Sequence, residues 1–231
     1  EGLLADSAMI AHGRGEAFDY LLGEATSESA MSAIRETSAR LLSAERPAIS
    51  VNGNTVVLAG EDLIRVAAVV GCPIEVNLYY RTPERVSGLL GRLSEQREGV
   101  AAGAAPQGWS GDWRKAVESV ALLGEAADHR ISGLEGPRAM CCWDGIGCAD
   151  VVLVPLEDGD RCEALVAAGK EVLVIDLNPL SRTSMTATVT IVDEVSRPSS
   201  KLLDQVVAGE RESVYWDNAA ALNAALDIIS N

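Results

Sequence analysis

The 231-residue chain predicts an α/β fold, a doubly wound, mostly parallel sheet with flanking helices, organised as a single domain over residues 1–231. Three observations carry this. Val151-Val152-Leu153-Val154 is a continuous apolar run of the kind found in parallel strands covered on both faces. A second such run, Val172–Ile175, follows after one short helical segment, which makes a βαβ unit. Finally, strand-like runs end in polar clusters at 50–54, 77–82, 155–161, 176–183 and 192–197. In open α/β sheets ligands bind beyond the carboxyl ends of the strands, so these endings predict one assembled site.

The elements follow in order. Residues 27–45 have the spacing of an amphipathic helix, with Thr26 as its cap and Pro47 closing the segment. Ala48–Val51 reads as a short buried strand ending at Asn52-Gly53-Asn54, residues that tolerate positive φ. Residues 61–70 return to helical spacing, and Gly71 and Pro73 punctuate the exit. Ile74–Leu78 is the second strand. Thr82-Pro83-Glu84 opens the next helix with a hydroxyl cap, a proline at the first position and an acid in the first turn.

Residues 99–112 form a Gly/Ala-rich break, followed by a helix over about 113–127 and a loop with three cysteines. The stretch 97–148 is expected to be an insertion, a lid, a partner contact or a surface loop. Order returns at Asp150. Asp160-Arg161-Cys162-Glu163 reads as an acidic capping box, and Gly169 ends that helix. Thr186–Val192 alternates Thr with Ala, Val or Ile, the pattern of a more exposed strand near a sheet edge. Helices over about 199–208 and 217–229 close the chain.

Composition narrows the function classes. No apolar run reaches the roughly 18 residues needed to span a bilayer, and no basic-then-apolar leader opens the sequence. The expectation is a soluble cytoplasmic protein that does not contact membranes. The chain begins at Glu1 without a methionine, so a natural N-terminal segment is expected to be missing. Thirty-four acids face 19 bases, a formal net charge of −15, and only Lys115, Lys170 and Lys201 are lysines. That balance disfavours nucleic acid, which needs basic stripes to neutralise phosphates. Scarce lysine with retained arginine reads as the solvated surface of a salt-adapted protein, rather than as an acidic interaction face. The Cys-Cys-x5-Cys cluster (141, 142, 148) near His129 fits no C-x2-C pairing, so reduced thiols are expected rather than a metal site.

A nucleotide is the natural ligand for such a sheet, yet neither G-x4-G-K-[ST] nor G-x-G-x-x-G after a strand occurs. Gly13-Arg14-Gly15 reads equally as a tight turn or as a place where backbone and guanidinium approach an anion. Asp176-Leu177-Asn178-Pro179-Leu180-Ser181-Arg182-Thr183 is richer. An acid at the end of a buried strand suits a ribose hydroxyl or magnesium, and Arg182 with Thr183 offers donors to phosphate. Glu157-Asp158-Gly159-Asp160 is either a site for an amine or divalent metal, or an acidic helix start. Fold alone leaves a kinase, an oxidoreductase or a nucleotide-binding regulator open.

Five blocks, at 11–24, 49–54, 75–85, 149–161 and 175–183, are similar to the archaeal 4-phosphopantoate–β-alanine ligase (phosphopantothenate synthetase) family, in a haloarchaeal-type form. The likeness runs to about residue 197 and is weak over 97–148. It implies a Rossmann-like homodimeric enzyme of coenzyme A biosynthesis, using ATP and Mg2+ without a Walker loop. Through an acyl-adenylate, 4-phosphopantoate and β-alanine would become 4′-phosphopantothenate, AMP and pyrophosphate. The resemblance implies ATP contacts at Arg14, Asp176, Leu177, Asn178, Arg182, Thr183, Glu194 and Val195, and at a further arginine in a preceding N-terminal helix. Within that frame Arg14 and Arg182 are the candidate catalytic cations, and His12 or Glu16 the candidate base for the amine. Asn52, Asn54, Asn77 and Arg81 are candidates for orienting phosphopantoate, Arg81 on its phosphate. Asp158 or Asp160 would hold the ammonium or magnesium.

Overall fold

Apolar runs far apart in the chain become neighbours in one six-stranded sheet. The computed structural model describes residue 4 and residues 8–230. Its strands are β1 (Pro47–Val51), β2 (Ile74–Val76), β3 (Leu122–Leu123), β6 (Val151–Pro155), β7 (Glu171–Ile175) and β8 (Val189–Ile191), in the order β3-β2-β1-β6-β7-β8. Every pairing is parallel. A small antiparallel pair, β4 (His129–Arg130) and β5 (Met140–Cys141), stands apart. The order runs outward one way from β1 and the other way from β6, so the boundary between them is the topological switch point.

The helices are α1 (Ala8–Leu21), α2 (Glu28–Ser43), α3 (Gly53–Val70), α4 (Pro83–Ala102), α5 (Trp113–Glu118), α6 (Gly159–Ala167), α7 (Arg182–Thr186), α8 (Ser196–Ala208) and α9 (Asn218–Ser230). Strand periodicity divides the core. Ile49, Val51, Leu153, Leu173 and Ile175 face one layer, with residues of α2, α3, α4 and α8. Ala48, Val152, Val154, Val172 and Val174 face the other, with Cys162 and Leu165 of α6 and Ile131, Leu134 and Ile146. Both faces are covered, as the unbroken apolar runs require. No helix among the described residues is long and apolar enough to cross a membrane.

Several boundaries differ from expectation. Gly13-Arg14-Gly15 lies inside α1, not in a turn. An added Cβ at Gly15 would stand 3.3 Å from Leu177 Cδ1, so Leu177 packs close over the helix backbone there. Ser27, not Thr26, caps α2, while Thr26 donates to Asp193 at 2.6 Å. Asn52 has φ −116°, and its side chain caps α3, which starts at once at Gly53 rather than at 61. Asp158, not Asp160, caps α6. The helix after the Gly/Ala break stops at Glu118, eight residues after which the chain is already past β3.

β8 is shorter than the alternating run suggested, because Arg182–Thr186 coils into α7. It is also fully buried although it is the edge strand. Asn218 explains this: its Oδ1 accepts the Thr190 N–H at 2.8 Å and its Nδ2 donates to the Ser184 carbonyl at 2.8 Å. The exposed rim is thereby satisfied from within the chain. Part of the stretch 97–148 is built into the sheet: β3 pairs with β2, and Val100, Trp113 and Val117 join the main core.

Candidate active site

The carboxyl ends of β1, β2 and β6 open onto a cavity of about 480 Å³ at the switch point. Asn52, Gly53 and Asn54 come from the β1–α3 junction, Asn77 from the end of β2, and Leu156, Glu157 and Asp158 from the end of β6. Arg14 reaches it from α1, Arg85 from α4, Arg161 from α6, and Arg138 from the 3-10 turn Pro137–Ala139. Among the described residues four arginines line it against two acids, Glu157 and Asp158. In a chain with a net charge of −15 this concentration of cations marks a place built for an anion.

Asn52 is the keystone of the junction. Its Oδ1 accepts from the Thr55 N–H at 3.1 Å, and its Nδ2 donates to the Leu156 carbonyl at 2.9 Å, joining β1 to β6 across the switch point. Leu156 itself holds φ at 57°, left-handed backbone that costs a branched residue about 1–2 kcal/mol. Such strain persists only where surrounding bonds over-determine it.

The acids at the β6 end are already engaged. Glu157 pairs with Arg161, which is 3% exposed and also approaches the Ser50 hydroxyl at 3.4 Å. Burial pushes the Glu157 carboxyl up and the Arg161 charge pulls it back. Asp158 Oδ1 caps α6 by accepting the Arg161 N–H at 3.0 Å, and takes Arg138 Nη1 at 3.2 Å. Asp160 bridges two cations, Arg138 Nη2 at 2.7 Å and Arg182. The hydrogen bond from Arg138 holds its carboxyl below the ordinary value.

The end of β7 forms a second cluster. Asp176 accepts the Asn178 N–H at 2.9 Å and the Ser181 hydroxyl, while burial holds its carboxyl above the usual range. Asn178 Oδ1 accepts the Leu180 N–H at 2.9 Å, and the Thr183 hydroxyl reaches back to the Glu157 carbonyl at 3.0 Å. Arg182 is half exposed and lies over Gly159, whose missing side chain makes the room. Glu194 receives the Ser196 N–H at 3.0 Å at the start of α8, and Val195 is buried in the main core.

The residues expected to act together therefore fall into two adjoining groups. Arg14, Asn52, Asn54, Asn77 and Asp158 share the cavity. Asp176, Asn178, Arg182 and Thr183 form the β7 cluster, with Asp160 touching both groups through Arg138 and Arg182. Leu177, packed on Gly15, links the β7 end to the helix that carries Arg14. Glu16 stands on the exposed surface of α1. His12 falls in α1, but its side chain lies outside the described residues.

Arg81 is not brought to the cavity. Its guanidinium donates to the Gly124 carbonyl, and it lines one cleft with Pro83, Glu125, Arg130 and Met140 and another with Tyr79, Tyr80 and Arg138, beside the cavity. Sequence reasoning missed Arg85, Arg138 and the pair Tyr79–Tyr80, all at the β2 end of the cavity. For Arg85 a signal exists, since Pro83 at the first helical position places it in the first turn of α4. Nothing local marks Arg138. It is delivered by Glu75, which accepts the N–H groups of Cys142 (3.0 Å) and Ile146 (2.9 Å), and by Asn77, whose Nδ2 donates to the Met140 carbonyl at 3.0 Å.

Among the described residues no group of three His, Cys, Asp or Glu side chains is arranged to hold a metal ion. The cysteines are free thiols; Cys72, Cys141, Cys142 and Cys162 are buried and Cys148 is half-buried.

Comparison with known proteins gives the family. Residues 29–231 match the model of the phosphopantothenate/pantothenate synthetase family. The chain is 46% identical over 196 residues to a 4-phosphopantoate–beta-alanine ligase of Methanospirillum hungatei, covering 85% of this chain and 71% of that protein. It is 44% identical to the ligase so named from Thermococcus onnurineus, covering 88% and 70%. For the one from Methanosarcina mazei the identity is 42%, covering 99% and 85%. A family match over most of the chain, with relatives this similar along most of their length, places it: the chain belongs to the phosphopantothenate/pantothenate synthetase family.

Proposed function

We propose that the chain is an ATP-dependent ligase that joins 4-phosphopantoate and β-alanine to give 4′-phosphopantothenate, AMP and pyrophosphate, for coenzyme A biosynthesis. The observation that carries this reading is the arginine-lined cavity at the switch point of a chain belonging to this family. The whole of residues 1–231 acts as one domain, working in the cytoplasm as a homodimer.

ATP lies along the ends of β7 and β8. Asp176 and Asn178 meet its nucleoside part, Arg182 and Thr183 its phosphates, and Glu194 with Val195 the outer edge. Arg14 stands between the two groups of residues. A carboxylate oxygen of phosphopantoate attacks the α-phosphorus and the bond to the β-phosphate breaks, releasing pyrophosphate. Arg14 and Arg182 stabilise the charge that develops on the phosphoryl oxygens and the leaving group. β-Alanine, having given a proton to a base, attacks the acyl carbon; the amide bond forms and AMP departs with the electron pair of the acyl–oxygen bond. His12 and Glu16 on α1 are the candidate bases. Asn52, Asn54 and Asn77 orient the acid, and Asp158 and Asp160 attract the ammonium.

A magnesium ion accompanying ATP would be held mainly through the nucleotide's phosphate oxygens and water, with Asp158 or Asp160 as the nearby carboxylates, which suits a site where no three such side chains among the described residues are arranged to hold a metal. It would supply neutralisation of phosphate charge there.

The adenylate step has its own test. Exchange of labelled pyrophosphate into ATP should require phosphopantoate and proceed without β-alanine. Exchange that needs β-alanine, or none at all while product forms, would sink the two-step route.

A further inference from the structure

The described part of α1 turns one face to the protein. Gly15, Phe18, Asp19 and Leu22 recur at helical spacing and are buried or half-buried, whereas Arg14, Ala17 and Tyr20 between them are exposed. Leu22 ends this face in a small apolar cluster with Val192, just past β8, and with Leu222 and Ala225 of α9. Leu177, from the end of β7, stands against Gly15. Asp19 is the charged member of the four.

Its carboxylate takes Arg197 at both oxygens: Nη1 donates to Oδ2 at 3.2 Å and Nη2 to Oδ1. Arg197 lies in the first turn of α8, and its Nε donates at 2.8 Å to Oδ1 of Asp193. Asp193 is 2% exposed; its Oδ2 accepts the Thr26 hydroxyl at 2.6 Å and its Oδ1 the Glu194 N–H at 2.8 Å. One guanidinium thus spans two carboxylates far apart in the chain. Isolated surface ion pairs contribute little, but a bidentate pair inside a network fixes geometry as well as charge. Exchanging a buried ion pair for apolar side chains is often neutral for stability, so what this network supplies is register more than strength.

Register matters because of what α1 carries. Arg14 adjoins Gly15, lines the cavity and stands about 7.5 Å along the helix axis from Asp19. A helical segment that short moves as a rod, so releasing it at Asp19 displaces the guanidinium at Arg14. We infer that Arg197 is a positioning residue for the ligase reaction: by clamping Asp19 to Asp193 it sets where α1 holds Arg14. This rests on the reading of Arg14 as a cation that meets the phosphates of ATP. Glu194, given to the edge of ATP in the same reading, is tied to Asp193 too, so the nucleotide edge and Arg14 share one anchor.

Misplacing a reacting group by about 1 Å costs on the order of a hundredfold in rate. Phosphopantoate-dependent pyrophosphate exchange, run well below the melting temperature, should therefore fall about ten- to a hundredfold in Arg197→Gln at saturating substrates, while KM for phosphopantoate stays near wild type. Arg197→Lys should recover part of the rate. Asp19→Asn, which leaves Arg197 on Asp193, should show a similar fall and carries the test if Arg197→Gln does not fold. The double variant should be no slower than the worse single one, because both changes open the same clamp. Hydrogen exchange of the ATP-free protein should show faster exchange over residues 15–22 in either variant. A wild-type rate in both single variants, or losses that multiply in the double, overturns the proposal. Failure of the ligase reading looks different: the wild type would show no phosphopantoate-dependent exchange, while the hydrogen exchange of α1 would still rise in the variants.

Discussion

Replacing Asn52 with alanine cuts the fold at the point where its two halves meet. The change removes the acceptor for the Thr55 N–H (3.1 Å) and the donor to the Leu156 carbonyl (2.9 Å) together. Loss of an N-cap costs about 1 kcal/mol, within 0.5–2. Leaving the half-buried carbonyl without its donor costs about 1–3 kcal/mol more. The sum is about 2–4 kcal/mol, and Leu156, already at φ 57°, loses a bond that holds it there. For a chain of this length the melting temperature should fall by roughly 5–15 °C. Urea unfolding followed by tryptophan fluorescence measures the free energy. Asn52→Ser keeps a capping oxygen but cannot reach Leu156, so it should lose only the second part. Asn52→Asp keeps the cap and sets a carboxylate against the carbonyl, so it should fare no better than serine. A stability of Asn52→Ala within about 0.5 kcal/mol of wild type would refute the reasoning. Serine falling as far as alanine would remove the cap from it.

Arg14→Ala should abolish most phosphopantoate-dependent pyrophosphate exchange while the circular dichroism and melting temperature stay at wild-type values; an unchanged exchange rate removes Arg14 from the chemistry. Gly145→Ala would drive a Cβ into the buried Glu75 carboxylate and to 3.0 Å from Leu123 Cδ1; overpacking of this kind costs about 1–3 kcal/mol, to be seen as a lower melting temperature. Burial raises the Asp176 carboxyl, so the folded chain binds that proton more tightly than the unfolded one. Its contribution is full below the unfolded value and is lost as pH rises through the raised folded value. Asp176→Asn should therefore flatten stability against pH in that window, and an identical slope in both proteins contradicts this. Burial pushes the thiols of Cys72, Cys141 and Cys162 up to about 12. All three should resist alkylation at pH 8 until denaturant is added, and fast labelling of the native protein would show the burial to be wrong.

What the sequence revealed depends on how local each signal is. Val151–Val154 and Val172–Ile175 announced buried parallel strands because burial on both faces leaves no polar position in the run. Thr82-Pro83-Glu84 announced its helix because capping is decided within a few residues. Asn52-Gly53-Asn54 looked like a turn, yet the same side-chain chemistry that favours turns also caps helices, and α3 begins there. Gly13 and Gly15 hid α1, since each glycine costs a helix about 1 kcal/mol; the close packing of Leu177 on Gly15 supplies a reason to keep one of them. The burial of β8 depends on Asn218, far along the chain. Arg138 left no trace at all, because Glu75 and Asn77 place it from another strand. The candidate site was thus legible where it sits on strand ends, and illegible where a loop is carried to it.

The most direct test of the account supplies the protein with ATP, 4-phosphopantoate and β-alanine and identifies every product. The account predicts 4′-phosphopantothenate, AMP and pyrophosphate in equal amounts, with no turnover when either acid is omitted. ADP and inorganic phosphate in place of AMP and pyrophosphate, or ATP consumption indifferent to phosphopantoate, would contradict it.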